Sequence, residues 1–167
     1  MSYKMSKELD EFRSIVGRVP GLTRKERDFT KCPIDSILKQ AIAGNEHQFL
    51  GALSILQEMH RSGRSEAGIF LLGLMVHAGH DWVRRSEIVE RLEGFNTPEC
   101  AHFLFTELER VKSNNTTRRY LAAVLKVLAA MPRELVQRRL LELTADNRFS
   151  SWMRDRFIEA LDKLSRR

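Results

Sequence analysis

The sequence predicts an all-α chain, and three observations carry that prediction. Apolar residues recur at the i, i+3, i+4, i+7 spacing of a helical face from about residue 34 to the end. No segment shows the period-two alternation of a half-buried strand. Glycine, proline and asparagine punctuate the apolar stretches at short intervals, where helices need to stop.

Taken in order, the first helix is expected over 34–43 and the second over 46–60, where Phe49, Ala52, Leu53, Leu56 and Met59 make one stripe. A third, 65–78, starts at a capping Ser65 and holds the longest apolar run, "IFLLGLMV". A fourth covers 82–94. Gly44, Gly63, Gly79 and Gly94 close these four, as residues that accept the left-handed conformation at a helix C-terminus. Thr97-Pro98-Glu99 opens the fifth, 98–112, with a cap, a proline in the first position and an acid in the first turn. The sixth, 115–131, follows the Asn114-Asn115 break and contains "RRYLAAVLKVLAAM", apolar around nearly its whole circumference. Its narrow polar strip, Arg119 and Lys126 two turns apart, calls for neighbours on several sides. The seventh, 133–144, carries Val136, Leu140 and Leu143, and the eighth, 149–164, carries Met153, Phe157, Ala160, Leu161 and Leu164 behind a capping Ser150.

Short loops between helices of similar length imply antiparallel hairpins. Their first helices start near 34, 65, 98 and 133, and repeats spaced in the thirties signal a stacked array. The segment from Thr117 aligns with that from Met153, pairing Arg118 with Arg154, Leu121 with Phe157 and Leu125 with Leu161. The last helix is more polar than the sixth, as an end-capping unit must be. With these paired helices, this spacing and small-residue-rich second helices such as "YLAAVLKVL", residues 34–165 resemble HEAT and armadillo repeats. The resemblance implies a right-handed α-solenoid of about four antiparallel hairpins; an irregular helical bundle is the structural alternative. The domain organisation read this way is a HEAT-like repeat domain over 32–167 preceded by an arm or additional helix over 1–31. In that arm Leu9, Phe12, Ile15 and Val16 make an apolar stripe before Pro20-Gly21, and Thr23 and Glu26 stand at capping-box spacing. Packing on the first hairpin is its expected role.

At 167 residues with 43% hydrophobic content, one domain with a continuous core is expected. Net charge is +6, and twenty of the twenty-eight basic residues are arginine. Residues 1–31 carry 8 basic against 5 acidic, 32–97 carry 6 against 8, and 98–167 carry 14 against 9, so the excess sits at both ends. Such a balance favours acidic or polyanionic partners. Cys32 and Cys100 stand alone, outside any CxxC spacing, and the opening "MSYKMSKELDEF" lacks the apolar stretch of a signal peptide. A cytoplasmic protein with no membrane span is expected.

Catalytic and metal patterns are sparse. "HAGHDW" brings His77, His80 and Asp81 together, but transition metals want three convergent ligands with an oriented second shell, and histidine at a helix C-terminus is ordinary. Cys100 lies in the first turn of a helix beside Ala101 and Phe103, where apolar burial is the expected state. "SGRSEAG" lacks the lysine of a phosphate-binding loop, and there is no GxSxG elbow. Neither a catalytic constellation, a metal nor a cofactor is expected. Arginine doublets are the stronger signal. Arg118, Arg119, Arg154 and Arg156, with Trp152 just before the last two, are the expected contact residues on the concave face such repeats offer. The function expected is a non-catalytic protein-protein interaction module whose basic surface holds an acidic protein or peptide. Nucleic acid, bound by the arginine-rich C-terminal half with Trp152 stacking on a base, is the alternative.

Overall fold

The computed structural model describes residues 29–166; the arm, including its expected stripe and capping box, lies almost wholly outside them. After a single 3₁₀ turn, Phe29–Lys31, eight helices follow: α1 Ile34–Ala43, α2 Glu46–Arg61, α3 Ser65–His77, α4 Trp82–Glu90, α5 Pro98–Arg110, α6 Arg118–Ala130, α7 Arg133–Thr144 and α8 Ser151–Ser165. No strand occurs among the described residues, so the fold is all-α. None of these helices is long and apolar enough to cross a membrane.

Helix starts follow local hydrogen bonding. Asn45 and Gln48 cap α2 reciprocally, the Asn45 carboxamide accepting from Gln48 N at 3.0 Å and the Gln48 side chain from Asn45 N at 2.9 Å. Asp81, Thr97 and Ser150 cap α4, α5 and α8 by accepting from the backbone N–H three residues on. Ser65 does not cap α3; it is the first helical residue, preceded by Arg64, whose guanidinium instead donates to Cys32 O at 2.7 Å. The sixth helix starts at Arg118 rather than 115. Asn114 Oδ1 accepts from Thr116 N and Thr117 N, and the Thr117 hydroxyl donates to Lys112 O at 2.7 Å, so side chains hold these residues in a turn that competes with the helix. The fourth stops at Glu90, four residues early, because Arg91 N and Leu92 N bond three residues back, and this tightened turn swings Leu92 and Phe95 into the core.

Gly63, Gly79 and Gly94 have positive φ, as helix-ending glycines should. Gly44 does not: its φ is −77°. What it provides is closeness, since a Cβ there would lie 2.3 Å from Gln40 O and 2.7 Å from Gln48 Cβ.

Packing contacts join α1 to α2, α3 to α4, α5 to α6 and α7 to α8, and then α1 to α3, α2 to α3, α4 to α6, α5 to α7 and α6 to α8. The sixth helix is thus surrounded by α4, α5 and α8. Tyr120, Val124 and Leu128 are fully buried, and only Arg118, Arg119, Ala122 and Lys126 of its residues are exposed. Truncating one such leucine to alanine removes about 2–5 kcal/mol of packing. One apolar core runs from Phe29 to Leu164.

Candidate functional site

The exposed strip of α6 is one side of a groove. The other side is α8, which enters with its Trp152, Arg156 and Lys163 facing α6, and the space between measures about 800 Å³. Leu121, Ala122, Leu125, Ala129 and Ala160 form an apolar floor. Small side chains dominate it because α6 and α8 pack closely here. Around the rim stand Arg118, Arg119 and Lys126 from α6, Arg156 and Lys163 from α8 and Arg166 just after it, against two acids, Glu93 and Glu159.

Trp152 closes one end. The Arg118 guanidinium lies 5.1 Å and that of Arg156 5.4 Å from its ring centroid, so two cations already share the indole. Arg156 also donates to Glu159 at 2.8 Å, and Arg119 to Glu87 on α4 at 2.9 Å. Both are solvent-exposed pairs of about 0–1 kcal/mol, cheaply exchanged for a ligand's carboxylate. Lys126, Lys163 and Arg166 make no ion pair among the described residues.

Of the five residues expected from the sequence, Arg118, Arg119, Trp152 and Arg156 therefore converge on this groove. Arg154 lies apart and half-buried, donating to Asn147 Oδ1 at 3.2 Å. The cause is helical geometry: on α8, Trp152 and Arg156 are one turn apart and share a face, while positions two apart do not. Sequence reasoning missed Lys126, Lys163, Arg166 and the alanine floor. The signal was present, for Arg119 and Lys126 on α6 and Arg156 and Lys163 on α8 both stand seven residues apart, which keeps each pair on one face.

Of the Arg84-Arg85 doublet, Arg85 serves the interior instead. Arg85, 3% exposed, donates through Nη1 to Gly79 O at 2.9 Å and through Nη2 to Tyr120 OH at 3.0 Å, and forms a short ion pair with Glu107. Tyr120 OH donates to Glu107 Oε2 at 2.7 Å, and Arg110 donates to Glu107 Oε1 at 3.0 Å. This knot ties α4, α5 and α6 together. Burial, then the Glu107 carboxylate, push the Tyr120 hydroxyl far above its ordinary value. Arg84 lies 4.8 Å over the Phe49 ring, bridging α4 to α2.

Asp81 is committed to capping α4, and His80 stands edge-on to Trp82 at 5.9 Å. Among the described residues no three histidine, cysteine, aspartate or glutamate side chains come together as a metal site. Cys100 is fully buried, and burial pushes its thiol up to about 12. The chain matches no family model, no curated protein and no solved structure.

Proposed function

We propose that the chain is a non-catalytic interaction module that holds an acidic protein or peptide in the groove between α6 and α8. One observation carries the reading: six cations ring a floor of alanine and leucine, with two acids among them. Complementary charge steers an acidic partner in, and the apolar floor supplies contact area that charge alone does not. Among the described residues no hydroxyl, thiol or imidazole lines this groove, and of its two carboxylates Glu159 is taken up by Arg156, which supports contact rather than chemistry as its use.

A HEAT- or armadillo-like right-handed solenoid is the architecture proposed to carry the groove. Support comes from the contact pattern, in which α4 meets α6 and α6 meets α8, while α5 meets α7 and α1 meets α3. It also comes from register. Side-chain bonds from Arg64 to Cys32, Arg119 to Glu87, His60 to Gly94 and Arg85 to Tyr120 span 32, 32, 34 and 35 residues, close to the spacing of the hairpins.

Nucleic acid is the competing ligand. It wants open aromatic faces, and the one aromatic side chain lining this groove among the described residues, Trp152, already carries two guanidiniums. Fluorescence anisotropy with a labelled glutamate-rich peptide, single-stranded DNA and single-stranded RNA, over a range of salt, tests the choice. The peptide is expected to bind and to weaken about tenfold or more on Arg118→Glu/Lys126→Glu. Binding to the oligonucleotides with a steep salt slope, and none to the peptide, would overturn the reading in favour of nucleic acid.

A further inference from the structure

Building on the acidic-partner reading, and dependent on it, we infer that the groove takes one amphipathic acidic α-helix, laid lengthwise between α6 and α8. The groove's lining runs along α6 from Arg118 to Ala130 and along α8 from Trp152 to Lys163, with Arg166 just past the helix end. At about 1.5 Å per residue the thirteen residues of α6 measure about 20 Å, the length of roughly three to four turns of helix.

Backbone chemistry decides between helix and strand. Both walls are helices, whose mid-helix N–H and C=O groups are spent on their own ladders, so nothing there pairs with an extended peptide. The floor is alanine and leucine, and among the described residues no serine, threonine, asparagine or glutamine lines the groove. An extended occupant would press unpaired amides against apolar surface. A helix satisfies its own backbone and needs only an apolar face. Ala122, Ala129 and Ala160 keep the floor low enough for a third helix to approach at ordinary interhelical distance.

The rim then sets the charge pattern. Arg119 and Lys126 on one side, and Arg156 and Lys163 on the other, are each seven residues apart, or about 10.5 Å along their helices. A helix lying between them meets both pairs with carboxylates two turns apart on each flank of its apolar stripe. That heptad match is what an irregular acidic chain cannot reproduce.

The test uses the full chain and synthetic peptides of about 14 residues, sized to the groove. A side-chain-stapled peptide carries leucine and alanine on one face and glutamate at i and i+7 on both flanks. Its unstapled counterpart differs only by a central proline in place of one residue, and a third peptide replaces glutamate by lysine. Anisotropy is read for each, and for oligothymidylate, with the protein and with Lys126→Glu/Lys163→Glu, two exposed changes whose fold is checked by circular dichroism. The stapled acidic peptide is expected to bind about tenfold tighter than the proline version and to lose about tenfold in the double variant. Equal binding of stapled and proline peptides would overturn the helix inference while leaving the acidic-partner reading standing. Binding of oligothymidylate alone, of the lysine peptide, or of no probe would overturn both.

Discussion

Replacing Glu107 by glutamine keeps the shape of the buried knot and removes its charge. Both Arg85 and Glu107 are 3% exposed, so the guanidinium would remain in a low-dielectric interior with neutral acceptors alone, Gly79 O, Tyr120 OH and the glutamine carboxamide oxygen. Its Nε already has no hydrogen-bond partner among the described residues. Breaking a buried pair from one side costs about 3–5 kcal/mol, against a total stability of about 5–15 kcal/mol for a domain. With a urea slope near 2 kcal/mol/M, the midpoint of unfolding should fall by about 1.5–2.5 M. Arg110→Ala is the control: its side chain is 69% exposed, and its bond to the same carboxylate should be worth under about 1 kcal/mol. The apolar triple Arg85→Met/Glu107→Leu/Tyr120→Phe should recover most of the loss, because it leaves no polar group stranded. A Glu107→Gln midpoint within about 0.5 M of the parent would refute the reasoning, since the pair would then not be desolvated as its burial implies.

Other perturbations have definite signs. Gly44→Ala should destabilise by about 1–3 kcal/mol, because the added carbon meets the Gln40 carbonyl and Gln48 Cβ. Gly51→Ala, exposed in the middle of α2 with nothing within 4 Å, should instead stabilise by up to about 1 kcal/mol; thermal melts of the two separate these signs. Cys100 should resist iodoacetamide at pH 8 in the native chain and react in urea, followed by mass spectrometry. The folded thiol lies above its ordinary 9.0, so its contribution is complete below pH 9 and is lost as pH rises toward 12; urea midpoints should fall across that window and fall less in Cys100→Ala. Ser150→Ala removes the cap of α8 and should cost about 1 kcal/mol, read in the amide exchange of that helix.

Helix positions are legible in the sequence because the signals for them are local. The 3.6-residue period and the caps at Thr97 and Ser150 act within one turn, and the structure follows them closely. The misses have non-local or competing causes. Gly44 looks like any helix-ending glycine until Gln48 of the next helix comes close. Asn114, Thr116 and Thr117 form a side-chain turn that a periodicity argument runs straight through. Arg84 and Arg85 read as one surface doublet, yet successive residues on a helix point about 100° apart, and only Arg85 turns inward to meet Glu107. Half of the groove is visible in the sequence as an arginine cluster around Trp152. The lysines and the alanine floor stay hidden because Lys126 reads as the solvent strip of a buried helix, and a floor exists only once α8 lies beside α6.

That arrangement gives the groove unequal walls. α6 is clasped by α4, α5 and α8, whereas α8, the last helix described, leans on α6 and α7. Packed against two helices where α6 is packed against three, α8 is the wall that opens at lower cost. An occupant wedged against both walls splints the looser one to the firmer. At a concentration a hundred times its dissociation constant, a ligand that needs α8 docked strengthens that docking by about 2.7 kcal/mol. Under the proposed function, recognition and the docking of α8 are one equilibrium, so a change that loosens α8 should weaken binding without touching a contact residue.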